Sequence, residues 1–409
     1  NDGSVPDAVV GDPFLPEALR ERLGLKTNAA RFARDAYLLQ ALAASRRNGG
    51  RLELLLGKNS LAGDPLRPSR LLLRCADADL PGRIAFLFRA AETARENSPW
   101  RRAWRLQPPA ATVPPRLAVT ALPAWLACPF RFFLGRVLRL EAVDPGKMEL
   151  DALDFGTLCH AALEAMGREA ALRDCTDGKR LREFLVGRLE QEAARRFGRE
   201  LTLPLVIQLE SARQRLTRAA DVQAQTREEG WVIQDVEHPF LLQVAGLSVS
   251  GKIDRIDRHE DTGAIRILDY KTSDRPIEPA EAHLRPLRRD EDVPEFAKFT
   301  GESRPRVWQN LQLPLYSRAM GGKFSGGVSL GYFNLPKAAT DTGIALWTDY
   351  TPEVAEAAWR CATGVAEAIG AGRFWPPNEA IRPEQDEFAA LFYHGVAASV
   401  AWEEQEEAR

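Results

Sequence analysis

Cysteine is scarce in this sequence, and its spacing excludes the usual cysteine-based zinc and redox motifs. The five cysteines lie far apart, and no two of them stand at C-x-x-C spacing. Isolated cysteines of this kind are typical of proteins from a reducing compartment. We therefore expect free thiols and a cytoplasmic location.

Long apolar runs and a strong net charge are also missing. No apolar stretch approaches the roughly 20 residues that a membrane-spanning helix needs, and no signal peptide is visible. The formal net charge is only −2, so a nucleic-acid site would have to be a local basic surface. No ATP-binding motif occurs in the chain. We expect no membrane partner.

The composition is that of a globular protein, with 45% hydrophobic and 27% charged residues. A length of 409 residues is enough for two domains. The prolines and arginines of residues 91–116 predict a linker, and we place the domain boundary at residue 112. Residues 1–112 would form one unit and residues 113–409 the other.

Within the first unit, helical spacing over residues 31–39 and a β-type run over residues 51–56 suggest an α/β layer. In the second unit, the charged segment 273–306 is predicted to be a loop or a lid. The regular elements predicted there are a helix over 151–168, long charged helices between about 179 and 227, helices over 307–320 and 353–371, and strands from Trp231 onward and over 327–335.

The most informative stretch holds two β-type runs around a short turn. Residues 251–257 (GKIDRID) and 267–272 (ILDYKT) flank the turn at residues 259–263, which predicts a hairpin. Asp254 and Asp269 lie almost equally far from this turn, so an antiparallel register sets them opposite each other. Facing residues are about 4.5–5.5 Å apart at Cβ, and like charges placed in this way repel.

Side chains alternate between the two faces of a strand, and this alternation places a lysine beside the pair of carboxylates. Lys271 shares a face with Asp269, while Tyr270 points away. Two carboxylates and an ammonium favour a hard divalent cation, which takes oxygen ligands, and the chemistry would be metal-assisted hydrolysis. The alternative is a weak surface ion pair. Because Asp269 follows a buried-type apolar run, we favour the metal site.

Three more residues are candidates for the same site. His160 lies on a predicted helix, where a lone histidine is more often structural than a ligand. Gln312 and Tyr316 are one helical turn apart and share a face. They form either a polar flank or a pair that makes hydrogen bonds with a phosphate or with Lys271.

These segments together resemble the nuclease domain of the RecB/AddB group of the PD-(D/E)XK superfamily, from about Val119 to Pro376. The matching motifs, in the family's order, are residues 119–122 with 128–134, 156–160 (GTLCH), 251–257, 268–272 (LDYKT) and 312–316 (QLPLY). The resemblance implies an α/β fold with a central mixed sheet flanked by helices, as in restriction endonucleases.

The resemblance also implies roles for these residues. His160, Asp254, Asp269 and the backbone carbonyl of Tyr270 would ligate Mg²⁺ or Mn²⁺, and Lys271 would orient or activate the attacking water. Gln312 and Tyr316 complete the expected catalytic set. Glu237 stands where many relatives have an acidic residue.

One feature departs from the family pattern. Many AddB-type nucleases carry an iron–sulfur cluster on one early cysteine and a C-terminal trio. Cys128 matches the early position, but no cysteine follows Cys361. We therefore expect no iron–sulfur cluster, and apolar packing by Phe374, Trp375 and Phe392 in its place.

Residues 1–112 more weakly resemble the C-terminal part of a degenerate helicase-like domain, as in AddB-like subunits. The expected function is therefore a Mg²⁺-dependent DNA exonuclease, the nuclease module of a bacterial helicase–nuclease that processes double-strand break ends for recombinational repair. Its partners would be single-stranded DNA or duplex ends and a helicase subunit of AddA type. Candidates for the DNA groove are Arg131, Arg136 and residues 304–306. The alternatives are a non-catalytic DNA-binding or scaffold subunit and a stand-alone endonuclease.

Overall fold

The structure is a computed structural model, and it describes residues 1–7, 11–60, 63–89, 105–143, 147, 149–289, 291–301, 304–321, 328–381, 386–392 and 395–402. Of the predicted linker, residues 91–104 lie outside this described part. The chain divides into two compact units, which take in the described residues of the following ranges. The first comprises Asn1–Arg102, Asp144–Glu149 and Leu201–Ile207, and the second comprises Ala103–Val143, Leu150–Glu200 and Gln208–Arg409.

The regular secondary structure described in the first unit is helical. Its helices are α1 (Glu17–Arg22), α2 (Asn28–Ala44) and α3 (Leu80–Leu87). Helix α2 begins at the cap Thr27, whose side chain accepts a hydrogen bond from the Ala30 N–H. The buried carboxylate of Asp35 in α2 accepts hydrogen bonds from the Asp7 N–H and from the Arg34 guanidinium.

The strand predicted at residues 51–56 is wrong. This segment belongs to no helix or strand, and the described residues of the first unit contribute no strand to a sheet. A strand needs a hydrogen-bonded neighbour, and none is described here. Leu55 is 96% exposed, so the apolar residues that suggested a strand are not buried as a sheet would bury them.

The second unit is built on a mixed β-sheet, which confirms the predicted α/β class. Its strands are β1 (Arg116–Ala118), β2 (Trp231–Val244), β3 (Leu247–His259), β4 (Ile265–Lys271), β5 (Leu284–Pro286), β6 (Lys298–Phe299), β7 (Arg306–Trp308), β8 (Val328–Asn334) and β9 (Gly343–Leu346). The main sheet has the order β1-β3-β4-β8-β9, and β2 pairs with β3. The β1–β3 and β4–β8 pairs are parallel, and the others are antiparallel.

Helices follow and separate these strands, and several of them contact the sheet and bury its apolar residues. They are α4 (Ala121–Ala127), α5 (Pro129–Phe132), α6 (Ala152–Arg168), α7 (Ala170–Arg173), α8 (Gly178–Phe197), α9 (Leu203–Glu228), α10 (Pro279–His283), α11 (Gln312–Met320), α12 (Pro352–Gly370) and α13 (Val396–Ser399). The central strand β4 is buried along nearly its whole length. Such a strand reads as a continuous apolar run rather than as an alternation.

The charged segment 273–306, predicted to be a loop or lid, contains regular secondary structure in its described residues. It contains α10 and the strands β5 and β6, which pair with β7 in a separate three-stranded sheet. The helix predicted over residues 307–320 is therefore shorter, because residues up to Trp308 are used in β7 and the helix begins at Gln312.

The C-terminal part packs on the aromatic residues that follow α4. The Phe133 and Phe374 ring centroids are 5.2 Å apart, and the Phe130 ring lies 5.6 Å from Trp375 and 5.7 Å from Phe392. Phe374, Trp375 and Phe392, the aromatic residues from which apolar packing was expected, therefore each contact Phe130 or Phe133. None of the helices in the described part of the chain combines the length and apolar character that crossing a bilayer requires.

Candidate metal centre

The β3–β4 hairpin has the register that the sequence predicted. Arg255 pairs with Leu268, and Ile256 pairs with Ile267. Continuing this register by one step places Asp254 opposite Asp269. The two carboxylates therefore belong to neighbouring strands at the same level of the sheet.

Asp254 lies where β3 changes its neighbour along one edge. This edge pairs with β1 through residues 248–250 and with β4 from Arg255 onward. In the gap, the Tyr270 N–H donates a hydrogen bond to Asp254 Oδ2 over 2.9 Å. The carboxylate thus serves as the acceptor for a strand amide, and this bond fixes the side chain beside β4.

Asp269 is held by two donors. The Lys271 ammonium lies 2.7 Å from Asp269 Oδ2, which shows that the two side chains share a face as predicted. The Gln312 amide donates to Asp269 Oδ1 over 2.8 Å and to the Tyr316 hydroxyl over 2.6 Å. Gln312 and Tyr316 are therefore both at the site, but the described contact of Gln312 is with Asp269 and not with Lys271.

Helix α6 brings His160 to the same place. The helix begins after Asp151, whose side chain caps the Asp154 N–H. His160 Nδ1 lies 3.5 Å from Asp254 Oδ2, and its ring packs edge-on against Tyr270 at 5.6 Å. The backbone of Tyr270 raises the pKa of the imidazole, against the larger lowering by burial. The imidazole is thus next to two of the groups with which it was expected to bind a metal.

Glu237 is a third acidic residue at this level of the sheet. Its neighbours Val236 and His238 pair with Arg255 and Ile253, so Glu237 lies across from Asp254. Glu237 has a φ of 51°, a backbone conformation that L-residues adopt rarely and that costs on the order of 1–3 kcal/mol. Its Oε2 lies 3.2 Å from the Lys252 ammonium.

The charges of the centre do not cancel. Burial raises the pKa of Asp254 well above its usual value, and repulsion by Asp269 and Glu237 raises it further. Burial also lowers the pKa of His160, which favours the neutral imidazole. Such an excess of carboxylates is what a bound divalent cation relieves.

The donor set fits a hard divalent ion by its chemistry. It offers carboxylate oxygens from two strands, a backbone carbonyl and a neutral imidazole, all of which such ions accept. In the part of the chain that the structure describes, however, no three His, Cys, Asp or Glu side chains are grouped so that they could hold a metal ion. Both oxygens of Asp269 are hydrogen-bonded to Lys271 and Gln312. The residue types and their neighbourhood therefore fit the ion, whereas a finished coordination geometry is not in place.

Two residues of the surroundings were missed from the sequence. The Lys271 ammonium lies 4.7 Å from the ring centre of Tyr332, which pairs with Asp269 across the parallel β4–β8 ladder. Spacing along the chain gives no signal for this contact, because a parallel neighbour is remote in sequence. The buried Arg215 donates to the carbonyls of Thr272 and Leu335, just past the ends of β4 and β8. An arginine on the otherwise alanine- and leucine-rich face of α9 could have indicated a buried arginine with a structural or functional role.

Arg131 was predicted to line the DNA groove, but in the structure it binds residues of the C-terminal segment. Its guanidinium lies 2.5 Å from Asp386 and also donates to the Cys128 sulfur and to the carbonyl of Asn378. The Cys128 sulfur accepts a further hydrogen bond from the Asn378 N–H over 3.2 Å. Arg131 and Cys128 therefore fasten the C-terminal segment to α5, and Arg131 is not free to bind a phosphate.

Comparison with known proteins adds the family. Residues 116–380 match the family model described as the PD-(D/E)XK nuclease superfamily, a range that includes the main sheet and every residue of the centre. A solved structure of a candidate exonuclease from Eubacterium rectale is similar to this chain with a TM-score of 0.38 and 11% sequence identity, over 64% of this chain and 84% of that one. None of the curated proteins matches the sequence.

Proposed function

Because the chain belongs to the PD-(D/E)XK nuclease superfamily, we propose that it hydrolyses phosphodiester bonds of DNA with the help of Mg²⁺ or Mn²⁺. The reaction would take place at the site around Asp254, Asp269 and Lys271, which we call the acidic centre. The observation that carries this proposal is the hairpin itself. Asp254 and Asp269 lie on facing positions of β3 and β4, and the Lys271 ammonium lies 2.7 Å from Asp269. One face of the sheet thus presents the two carboxylates and the lysine ammonium that such a hydrolysis uses.

Each side chain has a role in this proposal. His160, Asp254, Asp269 and the Tyr270 carbonyl would hold the ion, which when bound polarises the phosphate and makes water a better nucleophile near neutral pH. Lys271 orients the water, and Asp269 in turn holds Lys271. Gln312 keeps Asp269 in place by a hydrogen bond that it shares with Tyr316.

We further propose an exonuclease that belongs to an AddB-like subunit and trims double-strand break ends in the bacterial cytoplasm, together with a helicase of AddA type. The order and spacing of the motifs support this assignment. Residues before Arg116 lie outside the family match, and we propose a separate, helicase-like origin for residues 1–112.

The test is hydrolysis of labelled linear single strands, linear duplexes and closed circles with Mg²⁺, Mn²⁺ or a chelator. We expect metal-dependent release of nucleotides from linear ends, and a loss of about 10²–10⁴-fold in Lys271→Ala. Asp269→Asn should lose at least about 10²-fold. The matched control is Asp261→Asn, an exposed carboxylate in the turn of the same hairpin. No cleavage by the wild type would leave the scaffold alternative, and cleavage of closed circles would indicate an endonuclease.

A further inference from the structure

A cavity of the second unit is formed by residues with no role in the acidic centre. It has a volume of about 800 Å³, within the range of small-ligand pockets. Its walls come from α4, from the segment between β5 and β7 and from the residues that follow α12. We call it the aromatic–arginine pocket, after the aromatic residues Trp125, Phe296, Trp308 and Trp375 and the arginines Arg285, Arg288, Arg289 and Arg373 in its lining.

The aromatic wall is fixed by packing. Phe296 occupies a slot over Gly364 of α12, where a Cβ atom would come within 2.3 Å of the phenyl ring. The Trp125 and Phe296 rings are 6.0 Å apart, and the Trp125 indole donates to the carbonyl of Arg373 over 3.0 Å. The pocket wall is thus formed before any ligand binds, which lowers the entropy cost of binding.

One buried donor in the wall has no acceptor. Trp308 is 1% exposed, and its indole N–H makes no hydrogen bond with any residue that the structure describes. A buried donor that lacks a partner is costly, and indole N–H groups usually find one when they are buried. The indole N–H is therefore an unpaired donor of a residue that lines the pocket.

The cations of the pocket differ in how far they are already neutralised. Arg285 makes a two-fold ion pair with Glu291, with contacts of 2.7 and 2.5 Å, and this pair is internal. The exposed Arg289 and Arg373 form no side-chain ion pair with a residue in the described ranges. The lining also includes the carboxylates of Asp292 and Glu379, of which Glu379 accepts a hydrogen bond from the Ala397 N–H over 2.8 Å.

The pocket and the acidic centre are joined by a row of packed rings. The Trp308 ring lies 6.4 Å from Trp347, Trp347 lies 4.8 Å from His283, and His283 lies 5.9 Å from Tyr332. The ring of Tyr332 is in turn 4.7 Å from the Lys271 ammonium. A ligand bound in the pocket would therefore be held by the same packed core that carries Lys271.

We propose that the aromatic–arginine pocket binds one nucleotide of single-stranded DNA outside the acidic centre. Guanidinium groups bind phosphate, and exposed aromatic faces stack on bases of any sequence. Arg289 and Arg373 bind the backbone phosphates, while Phe296 and Trp375, both half-buried, provide the stacking surface. This inference rests on the proposed function in that DNA is the substrate, and it gives that function a holding site for the strand.

The test is binding of a fluorescein-labelled single-stranded oligonucleotide, followed by anisotropy, in an Asp269→Asn background without cleavage. We expect Arg289→Ala with Arg373→Ala to weaken binding about ten-fold and to lower the slope of log K against log salt by about 0.7 for each lost phosphate contact. The control is Arg195→Ala with Arg213→Ala, which removes two exposed arginines from α8 and α9. All four arginines are at the surface, so these variants should fold.

Further measurements distinguish a bound DNA strand from a free nucleotide, and distinguish failure of this inference from failure of the proposed nuclease function. Equal weakening in the control pair, or none in the pocket pair, would overturn the inference. If thymidine 5′-monophosphate binds in the pocket without displacing the oligonucleotide, the pocket takes released nucleotides and the strand proposal is wrong. Because binding is measured without cleavage, it can fail while hydrolysis by the wild type persists, and the reverse outcome is equally distinguishable.

Discussion

At the scale of single residues, the two facing carboxylates have different surroundings. Asp269 is neutralised by Lys271 and held by Gln312, whereas Asp254 has a strand amide and a neutral imidazole as neighbours. Burial and repulsion by Asp269 raise the pKa of Asp254 well above its usual value. Asp254 is therefore the carboxylate whose charge most needs a bound cation.

Gln312 should act through Asp269. Gln312→Ala removes the hydrogen bonds to Asp269 Oδ1 and to the Tyr316 hydroxyl, so the carboxylate loses its fixed orientation. Groups that orient metal ligands contribute about 10–100-fold to affinity or activity, and we expect a loss of that size in Mn²⁺ affinity and in turnover. Isothermal titration with Mn²⁺ and single-turnover hydrolysis measure the two effects. Gln214→Ala, at an exposed position of α9, should change neither, and an unchanged Mn²⁺ affinity in Gln312→Ala would refute this role.

The sequence was sufficient for the pair of carboxylates but not for their surroundings. Equal distances from one turn determined the register that puts Asp254 opposite Asp269, because a hairpin is a local structure. The ion pair of Arg131 with Asp386 joins residues 255 positions apart. No local pattern encodes such a contact, so Arg131 was interpreted as a surface cation.

At the scale of elements, the position of His160 depends on how closely α6 approaches β2. Gly167 lies at the contact, where a Cβ atom would come within 2.4 Å of Val236 Cγ1. Val236 is buried and β-branched, so it has little freedom to move away. The absence of a side chain at this position allows the helix to lie close to the strand.

Gly167→Ala should therefore destabilise the fold and displace His160. Overpacking of a core contact costs about 1–3 kcal/mol, which exceeds the gain of about 0.5–1 kcal/mol from replacing a helical glycine by alanine. Urea unfolding followed by tryptophan fluorescence measures the difference. The matched control is Gly187→Ala in α8, where the added Cβ meets nothing within 4 Å and stability should rise. If Gly167→Ala is as stable as the control, α6 is not held by this contact.

Elements were predicted well where their pattern was long and poorly where they depend on a distant neighbour. Helix α6 and helix α12 lie within a residue or two of the predicted bounds, because each has a complete apolar face and a capped start. The short strand β7 was missed, since its pairing with β5 and β6 is tertiary. The strand expected at residues 51–56 failed for the opposite reason, because an apolar run without a described neighbour does not make a sheet.

At the scale of the whole molecule, the C-terminal segment closes over α5 through one buried ion pair. Arg131 and Asp386 have side chains that are 13% and 6% exposed, with 2.5 Å between them. The hydrogen bond from Arg131 lowers the pKa of Asp386 below its usual value. A carboxylate with a lowered pKa stabilises the fold fully above its unfolded pKa of about 3.9, and this contribution is lost as the pH falls through the folded value.

Asp386→Asn should remove this pH-dependent contribution. At pH 7 we expect a loss of about 1.5–3 kcal/mol in the free energy of unfolding, the usual range for a hydrogen bond to a charged group. The difference from the wild type should be constant from about pH 5 to pH 8 and should shrink below about pH 4. Urea unfolding at several pH values measures it, with the exposed Asp349→Asn as control. A difference that does not depend on pH would show that the ion pair is not its cause.

The central claim is that Asp254 and Asp269 together bind a divalent cation, and Mn²⁺ binding followed by electron paramagnetic resonance tests it without relying on catalysis. We predict one site in the wild type that Mg²⁺ competes for, and binding weakened by more than about 10–100-fold in both Asp254→Asn and Asp269→Asn. Asp261→Asn, in the turn of the same hairpin, should bind Mn²⁺ as the wild type does. Equal Mn²⁺ affinity in the wild type and in both Asp→Asn variants of the pair would contradict the account.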